Sequence, residues 1–402
     1  TLLVVMTLFG ASPVCAQNQA DTPAEDPFYR TVFERGKEGN SIYRIPSITV
    51  ARSGKILAFS ETRNDPKYDA AGNDIVIKTS EDNGQSWSKL RVICSDKENA
   101  LMNPTVTVDR TTGRIILFYV RYPVGLHEGQ CEKGYEGDKV LRTYKIFSDD
   151  EGVSWSYPKD ITVQVKAPET RTYVPGPGRG IQLKNGKYKN RLVVPFNTTD
   201  TWQNYLVYSD DGGKNWQRAE GRTGYGLNEV QVVELSDGSI MANARSHRWK
   251  GHKSRPKNWD PWNWSRSTRQ RGTAITKDSG KTWSPVKDEE NLIDPTCMGS
   301  IIRIDNPHGK QKSCLLFSNP ANDIIPTGPG RKIPKRVNGT VRVSYDDGKS
   351  WKYSKNIYGD EKTHFAYSVL VHLKNGNIGC LFESEGKIIF TSFSFSWLTD
   401  GK

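Results

Sequence analysis

The sequence predicts an all-β protein, a six-bladed β-propeller, from three observations: an octamer that recurs five times, the length of its period, and the short alternating strands around it. The octamer reads hydroxyl, any residue, Asp, any residue, Gly, any residue, small polar, Trp. Its copies are SEDNGQSW from Ser80, SDDEGVSW from Ser148, SDDGGKNW from Ser209, TKDSGKTW from Thr276 and SYDDGKSW from Ser344. Self-similarity at a fixed period is typical of repeat architectures.

The spacing of the copies predicts the number of blades. They begin 68, 61, 67 and 68 residues apart, and around them residues 74–78 and 339–343 alternate polar and apolar side chains as strands do. Units of this length divide the roughly 385 residues after the N-terminal segment into about six blades. Since five units carry the octamer, we expect the sixth blade to combine residues 28–36 with the C-terminal run from Lys387 to Trp397.

Each octamer is predicted to be a turn with an aromatic anchor. Its Asp can accept hydrogen bonds from backbone amides two or more residues on, and its Gly supplies a backbone angle that other residues resist. Its Trp buries a large apolar ring against the neighbouring strands. We therefore interpret the five aspartates as structural and not catalytic; they are Asp82, Asp150, Asp211, Asp278 and Asp346.

The N-terminal segment predicts export. Residues 1–16, TLLVVMTLFGASPVCA, carry no charge, and their apolar run is too short to span a bilayer. They are interpreted as the remainder of a signal peptide, with Val14 and Ala16 before the cleavage point. We expect a periplasmic or secreted protein in which residues 17–27 form a flexible segment and residues 28–402 form one propeller domain. Neither a membrane span nor a lipid anchor at Cys15 is expected.

The charge and the cysteine content limit which binding partners and metal sites are expected. The formal net charge of +12 favours an anionic partner, which raises nucleic acid as a candidate. The sequence carries no recognised nucleic-acid motif, however, and its basic residues are scattered except around 245–271, so no nucleic-acid partner is expected. The five cysteines after residue 16 lack paired metal-ligand spacing, so no zinc site is predicted. Buried thiols are the simplest interpretation, and a disulfide stays open.

Several polar side chains lie in strand-like runs that approach the propeller axis. Arg44 has apolar neighbours on both sides, and an inward Arg needs an anion, either a structural carboxylate or a ligand. Glu229 alternates with apolar residues in 228–235, and a buried Glu is costly unless it meets a donor or performs chemistry. Tyr367 lies in another strand-like run, where a Tyr is ordinarily a packing residue. Residues 61–69 are predicted to form a polar loop with carboxylates.

From about residue 36 to the C-terminus the sequence resembles the bacterial exo-sialidases, or neuraminidases. The five octamers match the Asp boxes of that family. The other matching segments are Tyr43-Arg44-Ile45-Pro46, Asn103-Pro104-Thr105, GPGRGIQL at 176–183, NEVQV at 228–232, NARS at 243–246, RVN at 336–338 and AYS at 366–368. The resemblance implies a six-bladed propeller that removes terminal sialic acid with retention. Because Asp boxes also occur in proteins that are not enzymes, the combination of motifs carries the assignment.

The resemblance implies an arginine triad of Arg44, Arg245 and Arg336. Sialic acid carries a carboxylate on its anomeric carbon, so a pocket for it needs fixed cations. A guanidinium group suits this role because its planar fork donates two parallel bonds to a carboxylate and keeps its charge. Arg331 and Arg342 lie close to Arg336 in the sequence and are the alternatives for the third position.

The same resemblance assigns the reacting groups. Tyr367 would be the nucleophile, Glu229 its base and Asp69 the acid, while Arg63 would be a fourth cation near the sugar or a support for the loop. Charge favours a Tyr, since two like charges about 4 Å apart repel by about 4 kcal/mol at an effective dielectric of 20, and the anomeric carbon already bears a carboxylate. Asp65 is the alternative acid, and a turn-forming role stays open for either Asp.

The leading hypothesis is an exo-α-sialidase that acts as a monomer on sialylated glycoproteins, glycolipids and oligosaccharides, with no cofactor. One alternative is a non-catalytic exported Asp-box propeller that binds glycans or proteins. Another is a propeller glycosidase that acts on neutral glucans without an arginine cluster. Two insertions are predicted to be loops: residues 121–140, and residues 247–271 with four tryptophans, which either stack on sugar rings or pack as a surface flap.

Overall fold

A computed structural model of the chain describes residues 26–305, 307, 313–322 and 334–401. Its strands form six separate sheets, and the inner strand of each sheet contacts those of the two neighbouring sheets around a central channel. The prediction of a six-bladed β-propeller is therefore confirmed. The signal peptide predicted for residues 1–16 lies outside the described residues. None of the described helices is both long and apolar enough to cross a membrane.

The first three blades follow the chain from the axis outward, with one interruption. Blade 1 contains Ile42–Val50, Ile56–Arg63, Ile75–Ser80 and Arg91–Cys94. Blade 2 contains Asn99–Val108, Ile115–Pro123, Arg142–Ser148 and Lys159–Asp160. Blade 3 contains Val174–Pro175, Ile181–Gln182, Leu192–Thr198, Gln203–Ser209 and Gln217–Arg218. The inner strand of blade 3 is broken because Gly178–Arg179 leaves it and pairs in parallel with blade 2.

The last three blades complete the ring. Blade 4 contains Leu227–Glu234, Ile240–Ser246, Gln270–Thr276 and Lys287–Ile293. Blade 5 contains Ser300–Ile304, Cys314–Pro320, Gly339–Ser344 and Tyr353–Tyr358. Blade 6 contains Ala366–His372, Ile378–Ser384, Lys387–Phe393 and Phe28–Glu34. Two short α-helices, Thr162–Val165 and Phe395–Thr399, and two 3₁₀ turns, Glu128–Gln130 and Trp264–Arg266, lie outside the sheets.

The longest apolar runs of the sequence form the second strands of the blades. Leu192–Thr198, Cys314–Pro320 and Ile378–Ser384 are buried at every position. A strand that neighbouring sheets cover on both faces has a continuous run of apolar residues in the sequence, because neither face needs polar side chains. The five cysteines of the described chain lie in this buried interior or beside it, and all are free thiols.

Blade 6 joins the two ends of the chain. The strand Phe28–Glu34 pairs antiparallel with Lys387–Phe393, with Phe28 opposite Ser392 and Glu34 opposite Lys387. The prediction that residues 28–36 complete the sixth blade with the C-terminal run is confirmed. Backbone hydrogen bonds between the first and last strands therefore close the ring.

The Asp boxes are turns, as predicted, and each one also packs against the preceding blade. In the first copy, Ser80 Oγ donates to Asp82 Oδ1 at 2.7 Å and the Ser86 N–H donates to the same oxygen at 2.9 Å. The box glycines have φ between +83° and +92°. A Cβ on Gly213 of blade 3 would lie 2.1 Å from Cδ1 of Ile116 in blade 2, and the other box glycines face the preceding blade in the same way.

Candidate active site

A cavity of about 610 Å³ lies at the end of the channel where the inner strands begin. We call it the front cavity. Its walls include Arg44, Asn103, Glu229 and Tyr367, which come from the inner strands of blades 1, 2, 4 and 6. Residues that are far apart in the sequence meet there because every blade contributes its first strand to the axis.

Bulges in the inner strands aim these side chains. The pairing register shifts between Arg44 and Ser47, Met102 and Thr105, Leu227 and Val230, and Ala366 and Val369. Three non-glycine residues at these bulges adopt positive φ: 52° at Ile45, 57° at Asn103 and 50° at Tyr367. A bulge adds an unpaired residue, bends the strand and redirects its side chains, and such strain concentrates at functional sites. Sequence periodicity alone does not reveal these four bulges.

A tyrosine, a glutamate and an arginine form the centre of the front cavity. The Tyr367 hydroxyl donates to Glu229 Oε1 at 2.7 Å, and Arg245 Nη1 donates to Glu229 Oε2 at 2.9 Å. Burial raises the pKa of Tyr367 far above its ordinary value, and the charge of Glu229 adds to this effect. The phenol is therefore neutral at physiological pH, and its proton lies on a hydrogen bond to a carboxylate.

Two further guanidinium groups lie over the ring of Tyr367. The Cζ atoms of Arg44 and Arg336 are 5.4 Å and 5.5 Å from the ring centroid. Of the two alternatives to Arg336, Arg342 donates to Asn319 at 3.1 Å in the interior of blade 5, and Arg331 lies outside the described residues. The geometry therefore brings together Arg44, Arg245 and Arg336 around one tyrosine.

A buried carboxylate that the motif analysis missed holds Arg44 in place. Glu383 accepts from Arg44 Nε at 2.8 Å and from the Ile45 N–H at 2.7 Å. Burial raises the pKa of Glu383, but the charge and hydrogen bond of Arg44, the hydrogen bond from the Ile45 N–H and the charge of Arg63 together outweigh burial, and the pKa lies below its ordinary value. The sequence did contain a signal, because Glu383 is the single charged residue in the apolar strand Ile378–Ser384.

Arg63 and Asp69 form a second charged group on the wall. Arg63 Nη2 pairs with the fully buried Glu61 at 2.6 Å, and its Nη1 pairs with Asp69. The Glu61 carboxylate also accepts from the Asn103 N–H at 2.9 Å. The prediction of a polar loop at residues 61–69 is wrong for its first three residues. Residues 61–63 belong to the strand Ile56–Arg63, and the loop begins at residue 64. The strand continues because the Arg63 pair neutralises a carboxylate that would otherwise be buried alone.

The two candidate acids occupy different places. Asp69 lines the front cavity, and its side chain is 71% exposed. Asp65 accepts a hydrogen bond from the Lys67 N–H at 2.8 Å, which is the contact of a turn-forming Asp. The cavity wall includes Asp69 and does not include Asp65.

Both insertions reach the rim of the front cavity. The second is folded by an aromatic cluster of Trp202, Tyr225, Trp249 and Trp259, all buried, while Trp262 is 49% exposed and lines the cavity. Trp249 and Trp259 therefore pack, as the surface-flap interpretation predicts, and sugar stacking stays a prediction for Trp262.

The first insertion contributes Glu128 to the cavity wall. Glu128 is an exposed residue of this wall, and Thr199 lines the same cavity. The sequence analysis gave residues 121–140 no role, since their composition is too irregular to predict where any one side chain points.

These features define a class of protein: a six-bladed Asp-box propeller whose axial cavity presents clustered arginines, a tyrosine bonded to a glutamate, and an exposed aspartate. Residues 54–380 match the family described as BNR repeat-like domain. The chain belongs to this family.

Similar proteins and solved structures confirm the resemblance to sialidases that the motifs indicate. The chain is 32% identical over 420 residues to a sialidase of Micromonospora viridifaciens and 29% identical over 374 residues to a sialidase of Bacteroides fragilis. These alignments cover 98% and 88% of the chain but only 58% and 62% of the relatives. A solved structure described as Hadza microbial sialidase Hz136 matches with a TM-score of 0.77 and 26% identity, over 92% of this chain and 69% of that chain.

Proposed function

We propose that the protein is an exo-α-sialidase that hydrolyses terminal sialic acid from glycoproteins, glycolipids and oligosaccharides. The supporting observation is the contact of Tyr367 with Glu229 beneath the guanidinium groups of Arg44 and Arg336. A sugar with a carboxylate on its anomeric carbon requires cations beside the nucleophile, and this arrangement supplies them. The sialidase names of the similar proteins support the same activity.

Arg44, Arg245 and Arg336 bind the substrate carboxylate in this proposal. The ion pair with Glu383 fixes Arg44 before the substrate arrives, which lowers the entropy lost on binding. The Nε atom of Arg245 is buried and has no hydrogen-bond partner among the described residues, so a donor is available in this group. Each charge-assisted hydrogen bond contributes about 1.5–3 kcal/mol.

Tyr367 then attacks the anomeric carbon. As the new C–O bond forms, the phenol proton passes to Glu229, the bond to the leaving oxygen breaks, and Asp69 protonates that oxygen. A carboxylate nucleophile would meet the substrate carboxylate with a repulsion of about 4 kcal/mol, or about a thousandfold in rate. The neutral phenol avoids most of this repulsion, and sialidases are the known Tyr exception among retaining glycosidases.

Hydrolysis completes the cycle with net retention. Asp69, now a carboxylate, takes a proton from water, which attacks the anomeric carbon of the glycosyl-tyrosine from the face that the aglycone left. The phenolate oxygen of Tyr367 departs and recovers its proton from Glu229. Two inversions at one carbon give retention.

Export and domain organisation belong to the same proposal. Removal of residues 1–16 would release a periplasmic or secreted monomer with one catalytic domain at 28–402. Mass spectrometry of the exported protein should find a mature chain that begins near residue 17.

Release of the chromophore from an aryl α-sialoside tests the activity, and NMR of the first sugar product tests the stereochemistry. We expect turnover with the α-anomer formed first. Binding of sialosides without turnover would instead indicate the non-catalytic propeller, and a first product of β configuration would exclude the tyrosyl intermediate. Activity on neutral glucans that survives Arg44→Ala would point to the glucanase alternative.

A further inference from the structure

A second cavity, of about 540 Å³, lies at the other end of the channel. We call it the rear cavity. It is lined by the last residues of inner strands, among them Val50, Val108, Glu234 and His372. Val50 is six residues from Arg44 along one strand, so at about 3.3 Å per residue the two cavities are about 20 Å apart. Nothing in the proposed reaction uses the rear cavity.

The walls of the rear cavity carry more positive than negative side chains. Five cations contrast with two carboxylates, Glu234 and Asp305. The cations are Arg52, Arg110, Arg179, Lys184 and Arg303.

Both carboxylates are already engaged. Glu234 accepts from the backbone N–H groups of Lys184 at 2.7 Å and Asn185 at 2.8 Å. Asp305 pairs with the Lys184 side chain and lies 3.5 Å from Arg303 Nε. These contacts leave the charge of Arg179 uncompensated.

Arg179 is a part-buried cation that lacks a carboxylate partner among the described residues. Its Nη1 donates to the Leu370 carbonyl oxygen at 3.2 Å. Burial, and then the positive charge of Arg110, lower the pKa of Arg179 to about 10. A buried charge without a partner is costly, so such a group is normally paired or binds a ligand.

The backbone holds Arg179 in this position. Gly178 and Arg179 pair in parallel with Thr105 and Val106 of blade 2. Gly178 has φ +110°, and a Cβ at Gly180 would lie 2.7 Å from the Val193 carbonyl oxygen, so both neighbours of Arg179 require glycine. The guanidinium group is thus presented to the rear cavity by a segment with little conformational freedom.

We propose that the rear cavity binds a small organic oxyanion through Arg179 and Arg110. The planar guanidinium fork matches a carboxylate, phosphate or sulfate group, and the apolar walls at Val50, Val232 and Val371 contact the rest of the ligand. The cavity volume falls in the range of about 300–1,000 Å³ that is typical of small-molecule sites.

Calorimetric titration of the full chain with sodium phosphate, sodium sulfate and sodium glucuronate tests the proposal and separates the three oxyanion types. Arg179→Gln should weaken binding of the preferred anion by about tenfold or more, since at least one charge-assisted hydrogen bond is lost. Arg44→Gln removes a cation from the front cavity and should leave this binding unchanged. Arg342→Gln is the matched control and should leave this binding unchanged, because Arg342 is a buried arginine that lies outside the rear cavity.

Thermal melting separates a binding role from a structural one. Without added anion, Arg179→Gln should melt no lower than the wild-type protein, because it removes an uncompensated charge. The preferred anion should raise the Tm of the wild type but not that of Arg179→Gln. If Arg179→Gln does not fold, Arg110→Gln is used in its place for both measurements. The proposal is overturned if none of the anions binds, if Arg179→Gln and Arg110→Gln bind as tightly as the wild type, or if binding is lost in Arg44→Gln. Sialoside cleavage is not needed for either readout.

Discussion

At the scale of the residue, Tyr367 combines a neutral hydroxyl with a carboxylate acceptor. Its hydroxyl is neutral at physiological pH, burial raises its pKa further, and it donates to a carboxylate at 2.7 Å that can take its proton. The nearby guanidinium groups of Arg44 and Arg336 favour negative charge on the ring oxygen. Proton loss can therefore accompany attack without preceding it.

Tyr367→Phe should lower kcat by at least about a thousandfold, because the variant has no oxygen with which to attack. Circular dichroism and Tm should stay close to the wild type, since the ring remains. Tyr122→Phe, at a buried tyrosine of the same cavity, is the control and should retain most of the activity. Near-normal turnover by Tyr367→Phe would show that another group is the nucleophile.

Asp69→Ala should reduce turnover of natural sialosides much more than turnover of aryl sialosides, because a good leaving group needs little protonation. We expect a loss of about 100-fold or more on 3′-sialyllactose, within the range of general acid catalysis. Steady-state kinetics on both substrates measures the difference. Asp65→Ala is the matched control and should leave both rates nearly unchanged. An equal loss on both substrates in Asp69→Ala would place the acid elsewhere.

The sequence predicted the charged residues that meet in the front cavity but not the residues that hold them. Arg44, Glu229 and Tyr367 stood out through motifs and unusual polarity within strands. Glu383 was missed because its partner Arg44 lies in another blade. Glu61 was placed in a polar loop because its contact with the Asn103 N–H of blade 2 is visible only after folding. The same limit applies to Glu128, whose place on the wall depends on the path of an irregular loop.

At the scale of the element, the Asp box joins one blade to the next. Its hydrogen bonds are internal to the turn, but its glycine contacts the preceding blade, as Gly152 does with Leu57 and Gly84 with Phe390. The glycine therefore meets two requirements at once, a positive φ and a close approach.

Gly213→Ala should destabilise the protein by roughly 2–5 kcal/mol, the sum of a left-handed backbone cost and overpacking. The new Cβ would lie 2.1 Å from Ile116. Gly212→Ala in the same turn has φ +69° and meets only the Asp109 carboxylate, at 3.2 Å, so it carries the backbone cost without the clash. Urea denaturation should show a clearly larger loss for Gly213→Ala. Equal losses of stability in the two variants would mean that the clash with the preceding blade does not add to the destabilisation.

Low pH should destabilise the Asp-box turns. The hydrogen bonds from Ser154, through its hydroxyl and its N–H, lower the pKa of Asp150 from its ordinary 3.8 to about 2. Because the folded-state pKa is depressed, the stabilisation is complete above about pH 5 and is lost as the pH falls toward 2. Asp150→Asn should therefore have a lower Tm than the wild type at pH 6, with the gap narrowing toward pH 2.5. Asp138→Asn, at an exposed position, should show no such convergence. A gap that stays constant with pH would contradict this account.

The repeat spacing predicted the number of blades and the position of each turn, because both are written locally in the octamers. The bulges at Ile45, Asn103 and Tyr367 could not be predicted in this way. Their positive φ values occur at residues without intrinsic preference for them, except Asn103, and lie where the inner strand has one residue more than its partner strand. The sequence therefore indicates which elements form, and packing decides where they bend.

At the scale of the whole molecule, stability depends on closure through blade 6. A chain that begins at residue 36 lacks the strand Phe28–Glu34, and should lose roughly 3–6 kcal/mol from Val32 and Phe33, which are both buried. A chain that begins at residue 26 keeps the strand and is the control. Chemical denaturation and sialoside turnover measure the effect, and activity should fall because blades 1 and 6 carry Arg44 and Tyr367. Equal stability of the two chains would show that closure needs no outer strand.

The closing strand also bears on synthesis of the protein. Val32 and Phe33 are translated well before their partner strand Lys387–Phe393. The proposed nucleophile, Tyr367, lies in that same final blade. A nascent chain that stalls before residue 366 would therefore carry the three arginines proposed to bind the substrate and lack the proposed nucleophile, so we expect sialoside turnover only after blade 6 has been made.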